Sequence, residues 1–243
     1  MKHLIIAIGL IYLITITSYA EQPIIESGIP HIGEDASSFR AETTKGLLNF
    51  PADYGKSWKV LFSHPGDFTP VCTSEILELA LMQNEFLALD VKLAILSTDA
   101  LELHKSWERS MNDLLDKNQP GLLIDFPLID DHEQTISNKY GMISSKVDSR
   151  RTVRGVFIIG PDNKVEATFF YPNTIGRNLE ELKRTVIALQ TVKKHNVNTP
   201  VNWQKGDEVL VPYPYPPDAH EKIRENEGSY RNLTWYMLFK RLE

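Results

Sequence analysis

Cys72 is the chain's only cysteine, set in the stretch Phe68-Thr69-Pro70-Val71-Cys72-Thr73-Ser74-Glu75. A thiolate is an intrinsically strong nucleophile, and a thiol becomes one where its surroundings favour the anion. A free cysteine titrates near ~8.5, and a helix N-terminus or a nearby cation brings that to roughly 3.5–7.5. Helical periodicity begins at Thr73, so Cys72 lies at the mouth of a helix. The first turn there offers unpaired N–H groups and a partial positive charge. Thr69 precedes Cys72 by three residues and can supply a hydroxyl hydrogen bond. Pro65 and Pro70 stiffen the loop and remove N–H donors. A buried cysteine packed as a small hydrophobe is the plain alternative, and the residue type alone favours it.

The whole chain sets limits on that chemistry. It has 243 residues, 42% hydrophobic and 24% charged, which is ordinary globular composition. The length suits one full-sized domain with an extension, or two small ones, and such a core needs no disulfides. The formal net charge is -6 with no basic block, which argues against duplex nucleic acid as a partner. His31, His64, His104, His132, His195 and His220 are scattered, so no metal cluster is expected.

The amino terminus differs. Lys2 and His3 head an almost wholly apolar run from Leu4 to Ile16, and Thr17-Ser18-Tyr19-Ala20 puts small residues where a signal peptidase reads. This is the three-part pattern of a cleaved export signal over residues 1–20, and the run is short for a bilayer span. A secreted or luminal protein is expected, with no membrane span in the mature chain. In an oxidising compartment a single cysteine must pair between chains, stay unpaired or do chemistry. Asn232-Leu233-Thr234 is a glycosylation sequon, weak evidence as a three-residue motif.

Residues 21–45 are polar and read as an arm or loop with at most one short strand. Trp58 to Ser63 and Lys92 to Ser97 are apolar runs fit for buried strands, joined by a helix from Thr73 to about Asp90 with Ile76, Leu77, Ala80, Leu81 and Leu87 on one face. Asp99-x-x-Glu102 is a capping box for a helix reaching about Leu115. Phe126 to Ile129 forms a short strand. Val153–Ile159 and Val165–Phe170 form a hairpin about Gly160-Pro161-Asp162-Asn163. Asn178-x-x-Glu181 caps a further helix with Leu182, Val186, Leu189 and Val192 as its stripe. The order predicts an α/β fold, a mixed sheet flanked by helices. Beyond Thr199-Pro200 a smaller carboxy-terminal segment begins, and Pro212, Pro214, Pro216 and Pro217 exclude a helix there.

His64-Pro65-Gly66-Asp67-Phe68-Thr69-Pro70-Val71-Cys72-Thr73-Ser74-Glu75 resembles the active-site segment of the peroxiredoxins, in particular their one-cysteine branch. Pro65, Thr69 and Cys72 meet the family's P-x-x-x-T-x-x-C pattern. Val153-Arg154-Gly155-Val156 through Asp162 resembles the family's arginine-bearing strand and hairpin. Tyr171-Pro172-Asn173-Thr174-Ile175-Gly176-Arg177-Asn178 resembles the stretch before its last core helix. Thr199-Pro200-Val201-Asn202-Trp203 and Gly206-Asp207 resemble the start of the branch's carboxy-terminal domain. The resemblance implies a thioredoxin-like fold over residues 28–198, a carboxy-terminal segment over 199–243, and peroxide reduction. It implies Cys72 as the nucleophile that becomes a sulfenic acid. Thr69 and Arg154 would hold peroxide and thiolate, and Pro65 would shield the sulfur. Glu75 and Arg177 would orient this shell, with His64 at its border. It also implies hydrogen peroxide and organic or lipid hydroperoxides as substrates, no cofactor, and a homodimer. No second cysteine exists to resolve the sulfenic acid, so an outside thiol must do it, glutathione or a thiol protein.

Some members of the branch are also described as phospholipases, with a serine in a G-x-S-x-G segment, a histidine and an aspartate. Here the segment is Gly55-Lys56-Ser57-Trp58-Lys59, Pro51 stands at the histidine position, and Asp162 matches the aspartate. A serine without its base is a poor nucleophile, so no substantial phospholipase activity is expected. Two other classes compete with the peroxidase. A redox sensor or chaperone-like binding protein would be switched by Cys72 oxidation. A disulfide oxidoreductase would need the C-x-x-C pair that this sequence lacks.

Overall fold

The computed structural model describes residues 29–215, residue 223 and residues 227–242. The expected export signal lies outside these residues, as do Pro216 and Pro217. Two antiparallel strands come first, β1 (Phe39–Thr43) and β2 (Gly46–Phe50). Then follow β3 (Trp58–Ser63), α1 (Pro70–Ala88), β4 (Val91–Ser97), α2 (Leu101–Asn118), β5 (Leu128–Asp130) and α3 (Thr135–Lys139). A short pair, β6 (Ile143–Ser144) and β7 (Asp148–Thr152), leads into β8 (Arg154–Ile159), β9 (Val165–Tyr171) and α4 (Leu179–His195). The chain closes with β10 (Val209–Leu210), β11 (Tyr230–Thr234) and β12 (Met237–Lys240).

Seven strands make the central sheet in the order β2-β1-β5-β4-β3-β8-β9. β3 pairs parallel with β4 and antiparallel with β8, so the sheet is mixed as expected. The apolar runs of β3 and β4 are buried on both faces, which is why they read as continuous rather than alternating. Period-two geometry divides them. Val60, Phe62, Leu93 and Ile95 pack with apolar residues of α1, α2 and α4. Leu61, Ala94 and Leu96 pack on the other side with Phe39, Phe50, Ile136 and Tyr140. In the carboxy-terminal segment β10, β12 and β11 form a three-stranded sheet, and Trp203 is buried with Ala188, Val197 and Val209. Asn232 of the sequon lies on β11.

The one short strand allowed within residues 21–45 is Phe39–Thr43, and its alternation is masked because only its two end residues are buried. Two expectations need correction. The stripe of α1 has a different phase. Leu81 is 42% and Leu87 52% exposed, while Leu79, Met82 and Phe86 are buried. The buried row runs from Cys72 through Ile76, Leu79 and Phe86, following the i+3/i+4 spacing of the helix face on the sheet. Asp99 does not cap α2. Its Oδ2 instead accepts from the Asp67 amide at 2.7 Å and from Ser97 Oγ at 3.0 Å. The Leu101 amide donates to Asp130 Oδ2 of β5 at 3.0 Å, so a neighbouring strand satisfies that helix end.

The Asn178 cap is present: its Oδ1 accepts from the Glu181 amide at 3.1 Å. Asn178→Ala should lower unfolding free energy by about 1 kcal/mol in chemical denaturation, and a loss under ~0.3 kcal/mol would show the cap to be idle.

Candidate active site

β3 delivers the chain into the loop His64–Thr69, where Phe68 takes a left-handed φ of 55° and turns the backbone towards α1. Thr69 is the extended N-cap residue and Pro70 is the first helical position, where its missing N–H goes unneeded. The Thr73 amide closes the first turn on the Thr69 carbonyl at 2.9 Å. Cys72 thus sits in the turn whose amides lack intrahelical acceptors, and its side chain is fully buried.

Arg154, the first residue of β8, crosses to this turn. Its Nη1 donates to Cys72 Sγ at 3.4 Å and to Glu75 Oε2 at 2.7 Å. Its Nε and Nη2 both donate to the Asn173 carbonyl, at 3.2 and 2.7 Å. Glu75, one helical turn beyond Cys72, also takes Arg177. The Arg177 amide and Nε donate to Oε1 at 2.8 Å each, and Nη2 donates to Oε2 at 2.6 Å. Arg177 Nη1 reaches the carbonyls of Ser63 and Gly155 at 2.7 and 3.0 Å, and its guanidinium lies 3.2 Å from the Phe62 ring centroid.

Glu75, Arg154 and Arg177 are all buried. Two guanidiniums face one carboxylate, which leaves one positive charge beside the sulfur for an anion to balance. Burial pulls Arg177 down to about 10, against the hydrogen bonds and charge of Glu75, so it stays cationic at neutral pH. A guanidinium stays protonated in proteins, so both arginines are fixed positive charges. Such an arrangement stabilises a thiolate and the charge that develops on a departing oxygen.

The structure brings Cys72, Glu75, Arg154 and Arg177 into direct contact, and places Pro65, His64 and Thr69 in the loop beside them. Pro65 is buried there. Thr69 differs in one respect. Its hydroxyl donates to the Gly66 carbonyl at 2.8 Å, not to the sulfur, which leaves the oxygen as an acceptor for an incoming O–H. Several contributors carried no sequence signal. Asn173 acts through its main-chain carbonyl, which any residue type could supply. Ser63 accepts from the Gly155 amide at 2.8 Å and so locks β3 to β8. Asp67 and His104, at 2.8 Å, meet across 37 residues of sequence. Among the described residues there is no group of three or more His, Cys, Asp or Glu side chains that could hold a metal, and no helix is long and apolar enough to cross a membrane.

Residues 32–168 match the AhpC/TSA family, and residues 188–226 match the C-terminal domain of 1-Cys peroxiredoxin. A peroxiredoxin of Methanosarcina mazei is 42% identical over 218 residues, spanning 88% of this chain and 98% of that protein. The chain belongs to the peroxiredoxin family. Peroxiredoxin-6 of Bos taurus is 38% identical over 196 residues, 79% of this chain and 87% of its own length. The yeast mitochondrial 1-Cys peroxiredoxin, solved in a study of thiol resolution via glutathione/thioredoxin systems, superposes with a TM-score of 0.76 at 36% identity. That match covers 87% of this chain and 99% of the yeast chain. Peroxiredoxin 6 of Arenicola marina gives a TM-score of 0.77 at 32% identity, over 88% and 98%. The fold is thioredoxin-like, and the chain is a thiol peroxidase that needs no prosthetic cofactor.

The residues that match the serine and aspartate of the branch's second constellation each have other partners. Ser57 Oγ donates to Asp90 Oδ1 at 2.6 Å, while Asp162 faces Lys193 Nζ at 3.6 Å. Fatty-acid release from phospholipid vesicles should be at background and unchanged in Ser57→Ala. Release that the substitution abolishes would overturn this. Glu75→Gln should destabilise by roughly 3–5 kcal/mol in urea unfolding, because it strands two buried cations. A cost below about 1 kcal/mol would mean the cluster relaxes without its carboxylate.

Proposed function

We propose that this peroxiredoxin works with one cysteine and a borrowed thiol, on hydrogen peroxide and on organic or lipid hydroperoxides. The observation that carries the reading is the 3.4 Å contact from Arg154 Nη1 to the sulfur of the chain's only cysteine. The Cys72 thiolate attacks one oxygen of R–O–O–H. The S–O bond forms as the O–O bond breaks, RO⁻ leaves and takes a proton, and the sulfur becomes a sulfenic acid. Arg154 stabilises both the attacking anion and the departing one. Thr69 accepts the peroxide O–H, Pro65 keeps water from the sulfur, Glu75 and Arg177 fix the Arg154 head, and His64 borders the loop.

An external thiol then attacks the sulfenic sulfur, releasing water and forming a mixed disulfide. A second equivalent restores the thiol and leaves as a disulfide. Because Cys72 is fully buried, that step requires the first turn of α1 to move. The reductant class is a small thiol such as glutathione, or a thiol protein. The yeast relative resolves its thiol via glutathione/thioredoxin systems, which cover both kinds. We further infer a homodimer and export to a secreted or luminal site, with the thioredoxin-like unit over 28–198 and the carboxy-terminal segment over 199–243. Support comes from the family resemblance and the leader pattern of residues 1–20.

Stopped-flow mixing with hydrogen peroxide should oxidise Cys72 far faster than a free thiol, with the signal lost in Cys72→Ser. Mass spectrometry of the same sample with glutathione should find a Cys72 mixed disulfide and a chain beginning near Glu21. Oxidation at the free-thiol rate would overturn the peroxidatic assignment. Turnover with no mixed disulfide to any added thiol would overturn the resolving step.

A further inference from the structure

The loop that carries Pro65 and Thr69 rests on a second polar cluster, formed by His64, Asp67 and His104, all buried. His104 Nε2 lies 3.0 Å from the Ile129 carbonyl, and its Nδ1 lies 2.8 Å from Asp67 Oδ2. A carbonyl only accepts, so Nε2 carries a proton. The Asp67 contact then holds another, as imidazolium beside carboxylate or as carboxylic acid beside imidazole. Burial pulls His104 down, but the hydrogen bond and charge of Asp67, with Asp99 behind them, outweigh it and raise the imidazole above its ordinary value. Burial likewise pushes the Asp67 carboxyl up, against the bond to His104.

His64 is the unsatisfied member. Neither of its ring nitrogens has a hydrogen-bond partner, and neither does Asp67 Oδ1, which lies 3.7 Å from His64 Nε2. An unpaired buried polar atom costs roughly 1–3 kcal/mol, and closing that gap to about 2.9 Å would pair His64 Nε2 and Asp67 Oδ1 at once. Burial holds His64 well below the ordinary imidazole range, and His104, Arg177 and Arg154 push the same way, so the ring is neutral. The Gly66 carbonyl, which also takes the Thr69 hydroxyl at 2.8 Å, is the other acceptor beside the ring and pulls the opposite way. The Asp67 backbone is tied as well, through its amide to Asp99 Oδ2 at 2.7 Å.

We propose that Asp67 and His104 are positioning residues for the peroxide-binding loop. The pair holds one buried proton, pins the loop to α2, and uses the remaining Asp67 oxygen to fix His64 as the neutral Nε2–H tautomer. Through Gly66 it also sets where the Thr69 hydroxyl stands. The kinetic part rests on peroxide oxidation of Cys72, whereas the tautomer does not.

The test is imidazole ¹⁵N NMR of the reduced full-length protein across about pH 6 to 8, with stopped-flow oxidation of variants alongside. The wild type should show His64 protonated at Nε2 alone throughout. Asp67→Asn should change that signature and slow Cys72 oxidation roughly 10- to 100-fold, the scale of a misplaced reacting group. Adding His104→Gln should cause little further loss, because the two act as one unit. A wild-type His64 protonated at Nδ1 overturns the proposal, and so does an Asp67→Asn protein with unchanged His64 and an oxidation rate within twofold. If Asp67→Asn does not fold, the wild-type tautomer and the His104→Gln rate decide the matter. A wild type that peroxide does not oxidise would instead count against the role of Cys72.

Discussion

The carboxylate of Glu75 is the interaction on which the rest of this site depends. Both Arg154 and Arg177 close on it, at 2.7 and 2.6 Å, in an interior closed to solvent. Two cations brought together there would drive each other apart without a shared anion. With it, they form a rigid clasp that ties α1 to β8 and to the segment leading into α4. Arg177 extends the clasp to β3 through the Ser63 carbonyl. Four elements of the fold thus meet at one ion cluster, and the residual positive charge falls on the sulfur.

In the proposed reaction, that arrangement is what lets Cys72 act as nucleophile from a fully buried place at a helix start. The helix supplies unpaired amides and the end of a dipole, but those alone are modest effects. Arg154 adds a full charge held in a fixed direction by the Asn173 carbonyl, so no side-chain motion is needed as charge moves onto the leaving oxygen. In that same proposal the loop from His64 to Thr69 keeps the acceptor oxygen of Thr69 and the ring of Pro65 in place, with the Asp67–His104 pair behind it.

Much of the fold was legible in the sequence because its signals are local. Trp58–Ser63 is a short apolar run, and Gly160-Pro161-Asp162-Asn163 is turn chemistry between two strand patterns. Asn178 and Glu181 stand at capping distance. The phase of α1 was not legible, because Leu77, Leu81 and Leu87 are as apolar as the residues that are buried. Only the tertiary contact with the sheet selects among them. Asp99 and Glu102 matched a capping box, yet a rival set of donors claimed the aspartate. In the site, Cys72, Thr69 and Pro65 could be argued from type and spacing. Arg154, Arg177 and Glu75 could not, since each alone reads as a surface charge, and family resemblance singled them out. Asp67 and His104 carry no sequence signal, because nothing in a sequence shows which buried groups will face each other across 37 residues.

In the proposed reaction, what makes Cys72 the peroxidatic centre is the direction in which the Arg154 fork holds its charge. The rate constant for hydrogen peroxide oxidation of Cys72 in Arg154→Lys isolates that effect, because lysine keeps the charge but loses the planar fork that joins Asn173, Glu75 and the sulfur. The rate should fall roughly 10²- to 10³-fold, the usual cost of removing one preorganised donor at a developing anion. A rate within about threefold of wild type, in a protein that still folds, would contradict the role given to Arg154.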